Sequence, residues 1–205
     1  MSEISEYYGG SILAMKGKNV VTIISDNRLA QRSITTSTSY TRIHKINPRL
    51  YIGLASFVPD CQVLLKKLIK NYNLFELNEG RPMEPSEFTQ MVSYILYSKR
   101  FSPYIVMPVI AGIQSDGTPY VANMDQIGCI TDPTDFVVAG TAEKNLAGLC
   151  EAIYEPELDE EELFTVTTQA FLNAIDRDAL SGWGAVCYSI TPERVIKRTI
   201  KGRQD

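Results

Sequence analysis

The sequence contains a single histidine, His44, among its 205 residues. A Ser-His-Asp or Cys-His catalytic arrangement would therefore have to use that one imidazole, and a metal site built from two histidines of one chain is excluded. His44 alternates with apolar residues over 42–46 and has no acidic neighbour there. The pattern predicts a surface-facing strand residue and disfavours histidine-dependent hydrolase chemistry.

Long apolar runs are also missing. The stretch 104–113 is broken by Pro108 and Gly112, well short of the about 20 residues that a membrane-spanning helix needs. The first residues are acidic and lack the basic start and apolar run of a secretory signal, so we expect a protein of the cytoplasm and nucleus. No CxxC pair occurs, which predicts four reduced, mostly buried thiols. These cysteines are Cys61, Cys129, Cys150 and Cys187.

The charge balance, 20 Lys and Arg against 24 Asp and Glu, gives a net charge of −4. This balance argues against a nucleic-acid or membrane-coating partner. Neither a phosphate-binding G-x-x-x-x-G-K-[ST] loop nor a G-x-G-x-x-G fingerprint is present, and we expect no cofactor. A structural cation near Asp178 or Asp205 would find a single carboxylate at each place, which does not favour a metal site. The basic tail from Glu193 onward is most simply solvated, and the alternative is that it contacts a neighbouring subunit.

Predicted strands and helices come in pairs along the chain. Apolar, β-branched runs predict strands at 11–14, 20–25, 33–39, 50–56, 106–114, 120–124, 136–139, 184–190 and 194–200. Apolar residues at helical spacing predict helices at 59–72, 85–96, 142–154 and 160–176. Asp159 and Glu162 form a predicted capping pair for the last helix. The order favours an α+β protein whose antiparallel sheets are covered by helix pairs, rather than a doubly wound parallel sheet.

Two polar clusters remain that composition does not explain. The first is Gly-Gly-Ser at 9–11 together with Ser-Asp-Asn-Arg at 25–28, and the second is the run from Asp176 to Gly182. Side chains of this kind at strand and helix ends often do no more than cap turns. By themselves these residues favour turn capping over a functional site.

These clusters make the sequence resemble the proteasome β-type subunits, members of the N-terminal nucleophile hydrolase superfamily. Residues 10–11 stand where the family's processing glycine and new N terminus occur, 26–28 match its Asp-x-Arg, and 140–142 match its Gly-Ser/Thr-x turn. Residues 178–182 match the Asp-x-x-Ser-Gly loop. The lack of the N-terminal helix typical of α-type subunits places the chain among the β types. Three finer segments, 100–104, 154–158 and 181–185, are similar to one non-catalytic β-type subunit.

The resemblance implies a four-layer αββα sandwich, the Ntn-hydrolase fold. It divides the chain into a short N-terminal extension, 1–9, and a single β-type domain, 10–205, that includes the C-terminal tail. An extension of that length leaves almost no room for a propeptide, so we expect an unprocessed chain.

The resemblance also implies that catalysis has been lost. An active member exposes an N-terminal threonine whose hydroxyl attacks the peptide carbonyl while its freed α-amine acts as the base, aided by a lysine. The family register places Gly10 at the nucleophile and Arg42 at the lysine. Gly10 has no hydroxyl, and a guanidinium stays charged at neutral pH. The other family positions then remain as structural remnants: Asp26, Thr141, Asp178 and Ser181.

Two alternatives stay open from the sequence. Cleavage after Gly10 would make Ser11 a serine nucleophile, although the register would shift by one and the lysine would still be missing. A free-standing scaffold or binding domain outside any proteasome is the second alternative. Intact mass tests the first alternative, and the native size of the protein tests the second.

The family's assembly implies the partners. It predicts membership of a 28-subunit particle of α and β rings that degrades polypeptides in its chamber, in ATP- and ubiquitin-dependent fashion, under regulatory caps. The β-2 neighbour carries the trypsin-like site, and the resemblance places Asp125 and Cys129 beside its substrate channel. The alternative is that Asp125 is an ordinary turn residue and Cys129 ordinary packing.

Overall fold

Two five-stranded antiparallel sheets stacked face to face form the centre of the computed structural model, which describes residues 2–204. The strands are β1 (Tyr8–Gly9), β2 (Ser11–Lys16), β3 (Val21–Asp26), β4 (Leu29–Gln31), β5 (Ile34–Ser37), β6 (Ile43–Asn47), β7 (Leu50–Ser56), β8 (Val106–Ile113), β9 (Pro119–Met124), β10 (Ile130–Thr131), β11 (Phe136–Gly140), β12 (Ala185–Ile190) and β13 (Val195–Ile200). The helices are α1 (Ser2–Ser5), α2 (Val58–Glu79), α3 (Pro85–Tyr97), α4 (Glu143–Ile153) and α5 (Glu160–Ile175). Asp205, considered above as a cation ligand, lies outside the described residues.

Sheet I has the strand order β11-β2-β3-β12-β13, and sheet II has the order β10-β9-β8-β7-β6. A small sheet, β1-β4-β5, is formed by the N-terminal segment and the chain that follows β3. Every pairing between neighbouring strands is antiparallel. The antiparallel expectation is confirmed.

Each sheet buries both of its faces. Along β2, Ile12 and Ala14 pack between the two sheets, while Leu13 and Met15 face α4 and α5, as the two-residue period of a strand requires. Helices α2 and α3 cover the outer face of sheet II through a separate cluster centred on Phe88. The layers are therefore helix pair, sheet, sheet, helix pair, which confirms the αββα sandwich.

The structure corrects several predicted boundaries. Helix α2 continues beyond Tyr72 to Glu79 and ends at Gly80, whose φ of 66° provides a left-handed cap. Its last turns contain outward-facing apolar residues, including Leu77 at 81% exposure. Apolar residues there do not recur at helical spacing on one face, so the sequence pattern did not predict these turns. The strands β1, β4 and β10 are too short to leave a pattern.

His44 differs from expectation, whereas the cysteines agree with the prediction that most of them are buried. His44 lies in β6 and is half-buried rather than surface-facing, and this burial lowers the pKa of its imidazole from 6.5. Cys129 is exposed. Burial raises the pKa of each of the other three thiols to about 12, which matches the prediction of buried, unreactive thiols: Cys61, Cys150 and Cys187.

The predicted capping pair at the start of α5 is confirmed. Oδ1 of Asp159 accepts hydrogen bonds from the backbone N–H groups of Glu161 (3.0 Å) and Glu162 (2.9 Å). The Glu162 carboxylate accepts in turn from the backbone N–H of Asp159 at 3.1 Å. The acidic first turn thus satisfies donors that would otherwise be free. Among the helices described, none combines the length and apolar character needed to cross a membrane.

Candidate functional site

The six residues placed in the family's site by the resemblance meet at one end of the sandwich. Gly10 immediately precedes β2, Asp26 ends β3, and Arg42 immediately precedes β6. Thr141 follows β11, and the loop between α5 and β12 supplies Asp178 and Ser181. The hydrogen bonds among them, described below, show that the fold brings all six predicted positions together.

Asp26 is fully buried at the centre of this cluster. Its Oδ1 accepts from the backbone N–H of Ser11 at 3.0 Å, and its Oδ2 accepts from that of Gly182 at 3.1 Å. Nη1 of Arg42 lies 3.0 Å from Oδ1. Burial raises the pKa of this carboxyl, while the guanidinium and the two N–H groups oppose the rise. Asp26 therefore links the start of β2 to the loop between α5 and β12.

Arg42 is 3% exposed, and both terminal nitrogens of its guanidinium are hydrogen-bonded. Besides the ion pair, Nη1 donates to the carbonyl of Asp26 at 3.0 Å, and Nη2 donates to the carbonyls of Gly9 and Arg28. The ring of Tyr40 lies 5.1 Å from Cζ, within cation-π range. One carboxylate and three carbonyls therefore hold the Arg42 side chain in a fixed position.

Gly10 leaves room for this guanidinium. Its φ of 146° is one that residues with side chains rarely adopt. A Cβ at position 10 would lie 2.1 Å from Cζ, Nε and Nη2 of Arg42. The Arg42 side chain thus occupies the space that a nucleophile's side chain would need. The nitrogen of Gly10 is a peptide nitrogen, and it donates to Oγ1 of Thr141 at 3.3 Å.

Three hydroxyl groups and one carboxylate complete the cluster. Oδ2 of Asp178 accepts from Oγ1 of Thr141 (2.6 Å) and from Oγ of Ser181 (2.5 Å). Oγ of Ser11 lies 2.9 Å from Oγ of Ser181 and accepts from the backbone N–H of Ala142 at 3.0 Å. Ser11 is fully buried, so its hydroxyl links the start of β2 to two loops and is closed to a substrate.

Arg28 and Gly9 contribute to the site in ways that sequence reasoning did not assign. Arg28 donates from Nε to Oγ1 of Thr35 at 2.9 Å and from Nη1 to the carbonyl of Ala179, and its guanidinium lies over the ring of Trp183. A Cβ at Gly9 would lie 2.3 Å from Cβ of Leu180. The sequence feature that indicates this contact is the glycine pair at 9–10, because two adjacent glycines before a strand allow another backbone segment to approach closely.

A cavity of about 350 Å³ opens beside Gly10 and Thr141, and the N-terminal segment forms one of its walls. Tyr8 and Gly9 pair with Gln31 and Ala30 in the small sheet. The hydroxyl of Ser56 donates to the carbonyl of Ser5 at 3.1 Å. The residues before Gly10 are therefore built into the fold alongside this cleft.

Asp125 and Cys129 lie elsewhere, in the turn after β9, and both are exposed. Oδ1 of Asp125 accepts from the backbone N–H groups of Ile127 (3.0 Å) and Cys129 (2.8 Å), so Asp125 does stabilise a turn. Near Asp178, both carboxylate oxygens already accept hydrogen bonds, the second from the N–H of Leu180. Over residues 2–204 there is no group of three or more side chains suited to hold a metal ion.

Comparison with known proteins identifies similar sequences over nearly the whole chain. A family model described as proteasome subunit matches residues 6–190. The Schizosaccharomyces pombe protein named probable proteasome subunit beta type-3 is 46% identical over 202 residues, which cover 98% of this chain and 99% of the relative. The Saccharomyces cerevisiae protein named proteasome subunit beta type-3 is 46% identical over 206 residues, covering all of both. The Drosophila melanogaster protein of that name is 42% identical over 203 residues, covering 98% and 99%.

Proposed function

Because the chain belongs to the proteasome subunit family and is a β-ring subunit of the 20S core particle, we propose that it takes its place in the ring without a catalytic site of its own. It shares a particle with other proteasome subunits. Its contribution to protein degradation is then to contact the other subunits of the particle, and not to cleave peptide bonds.

The observation that carries the proposal is the packing of Gly10 against Arg42. An acyl-enzyme needs a side-chain hydroxyl or thiol at the nucleophile position, and Gly10 has none. The space beside it is occupied by the guanidinium, whose donors are directed at Asp26 and at the carbonyls of Gly9 and Arg28. No group at this position can attack a peptide carbonyl.

The second support is the N-terminal segment. An active family site needs a free α-amine at this position, whereas here Tyr8 and Gly9, just before Gly10, are packed into the small sheet opposite Gln31 and Ala30. The hydrogen bonds of Ser11 to Ala142 and Ser181 oppose its use as a substitute nucleophile. Both supports favour an unprocessed, inactive subunit over the Ser11 alternative.

We extend the proposal to the finer features of the assembly. The chain occupies the β ring of a 28-subunit particle, beside the β-2 subunit, in the cytoplasm and nucleus, where regulatory caps act on the assembled particle. Polypeptide substrates reach its inner surface in the chamber. These features follow from the family's architecture rather than from any contact in this chain.

Intact mass of the subunit, measured on purified core particles, tests the inactive state. We expect a chain that keeps residues 2–9. A mature chain beginning at Gly10 or Ser11 would contradict the proposal, because self-cleavage there requires a working site in this chain. Co-purification of the other ring subunits in equal amounts tests membership in the same preparation, and a monomer of about the chain mass, 22.9 kDa, would contradict it.

Asp125 gives the proposed β-2 contact a separate test. Its exposed carboxylate would favour a basic substrate side chain in the neighbour's channel by charge complementarity. Asp125→Asn should lower cleavage after basic residues in assembled particles. Asp116→Asn is the matched control, because Asp116 is also an exposed turn carboxylate, accepting from the N–H of Thr118 at 2.8 Å. Equal activity in the two variants would remove Asp125 from the neighbour's site.

A further inference from the structure

Charged side chains join the first turns of α5 to β13 and to the turn before that strand. Glu160, at the start of the helix, forms an ion pair with Arg194 at 3.0 Å. Glu161 accepts a hydrogen bond from Nη2 of Arg198, and Cζ of this arginine lies 4.2 Å from the centre of the Phe164 ring. We call this contact the helix seam and define it by those five residues.

The seam contains buried polar atoms that its ion pairs do not use. In the described part of the chain, the buried side-chain atoms without a hydrogen-bond partner all belong to α5, β12 or β13. They are Oε1 of Glu160, Oγ1 of Thr168, Oγ of Ser189 and Nη1 of Arg198. Ser189 is only 1% exposed. Native proteins pair nearly all such groups, so their concentration at one interface indicates a missing partner there.

The strand register places Ser189 on the face of sheet I that the seam covers. Cys187 packs beneath α4 and α5, and the two-residue period of a strand puts Ser189 on that same face. Cys187 is opposite Arg198 in the β12-β13 register. Ser189 is opposite Ile196, which lies midway in sequence between the two arginines of the seam. The Ser189 hydroxyl therefore lies between the two ion pairs.

The chemistry of the unpaired groups restricts what can join them. A carboxylate oxygen only accepts hydrogen bonds, a guanidinium nitrogen only donates them, and a hydroxyl does both. A cation is disfavoured by the two arginines of the seam, and an anion is disfavoured by its two glutamates. Water carries no charge, donates and accepts, and makes about three hydrogen bonds when it is buried among polar groups. Water is thus the ligand that suits all of these atoms.

We propose that the helix seam is an internal hydration site, in which ordered water bridges Oε1 of Glu160, Nη1 of Arg198 and the hydroxyl of Ser189. The water binds the first turns of α5 to β12 and β13 through one connected network. The other end of α5 leads into the loop that carries Asp178 and Ser181. The hydrated seam therefore fixes the far end of the helix that supports the remnant site.

Ordered solvent in a high-resolution structure of the full chain, alone or within core particles, tests the proposal directly. We expect water within hydrogen-bond distance of both Oε1 of Glu160 and Nη1 of Arg198. A direct hydrogen bond between these two groups would overturn the proposal, and so would a dry seam in a density map that shows other buried waters. The test is independent of ring membership, because the isolated chain serves equally well.

The sign of one substitution gives a second measurement. If water binds the Ser189 hydroxyl, Ser189→Ala removes a hydrogen bond and should lower the folding equilibrium constant of the full chain by about fivefold in urea titrations. In a dry seam the same substitution would remove a buried hydroxyl that has no partner, and stability would rise or stay the same. Stability equal to or above that of wild type would therefore refute the hydration site.

A double-mutant cycle controls for the local effect of alanine in β12. Glu160→Ala removes the carboxylate from the network, so adding Ser189→Ala to that variant should change the folding equilibrium constant by less than about twofold. An undiminished loss of about fivefold in this background would mean that the two side chains share no water. That result would also overturn the proposal.

Discussion

Replacing Gly10 with alanine should destabilise the chain severely, although it adds only one methyl group. The new Cβ would lie 2.1 Å from three atoms of the Arg42 guanidinium, where carbon atoms normally approach to about 3.5 Å. Arg42 would have to leave its ion pair with buried Asp26, and breaking such a pair from one side costs about 3–5 kcal/mol. A φ of 146° adds backbone strain of about 1–3 kcal/mol.

We therefore expect Gly10→Ala to lower the free energy of unfolding by about 4 kcal/mol or more, a large share of the about 5–15 kcal/mol of a typical domain. Urea unfolding of the purified chain, followed by the fluorescence of its single tryptophan, Trp183, measures the effect. Trp183 is well placed as a reporter because its ring stacks on Arg28 beside the site.

Gly148→Ala is the matched control. Gly148 lies within α4, and a Cβ there would meet no atom within 4 Å. This substitution should stabilise the chain by up to about 1 kcal/mol through helix propensity. In an Arg42→Ala background, Gly10→Ala should lose most of its effect, because the clash is removed. If the Gly10→Ala variant unfolds at the same urea concentration as wild type, the close packing of Arg42 against Gly10 does not stabilise the chain as argued.

Three further predictions concern pH, capping and thiol chemistry. Burial lowers the pKa of His44 below 6.5, so the unfolded chain binds the proton more readily and wild type should lose stability as pH falls through about 6.5. His44→Gln should flatten that dependence in urea titrations between about pH 7 and 5.5, and an unchanged slope would contradict the assignment. Asp159→Ala should lower the free energy of unfolding by about 1 kcal/mol. Asp176→Ala, at the other end of α5, should not, because that end is capped by the backbone N–H of Asp176 and not by its side chain; equal effects would exclude the Asp159 cap. Cys129 alone should react rapidly with a thiol reagent at neutral pH, and rapid labelling of any other cysteine in the folded chain would contradict the burial of these three: Cys61, Cys150 and Cys187.

The sequence predicted the layers of the fold because each layer rests on a strong local pattern. β7 and α3 were recognised almost residue for residue, since a compact apolar run bounded by a turn signal and an amphipathic helical run are both strong local patterns. The short strands β1 and β4 depend on pairing with each other, which adjacent residues do not reveal. α2 was predicted too short because its C-terminal turns expose apolar residues.

The residues of the candidate site were predicted from their match to a family motif and not from local patterns of hydrophobicity or charge. Nothing local to Arg42 indicates that its side chain fills the space beside Gly10, 32 positions earlier in the sequence. The glycine pair signalled a close backbone approach, but the partner came only from the fold.

The strand order of sheet I has a consequence for how the chain reaches its folded state. β12, from the C-terminal part of the sequence, lies beside β3, from the N-terminal part, and the bond between Ser11 and Ser181 spans 170 positions. Contacts this distant in sequence form late and slowly. During synthesis one edge of β3 stays unpaired until β12 has left the ribosome, which happens only after most of the chain has been made. An exposed edge is prone to wrong pairing, so the growing chain needs protection over that interval.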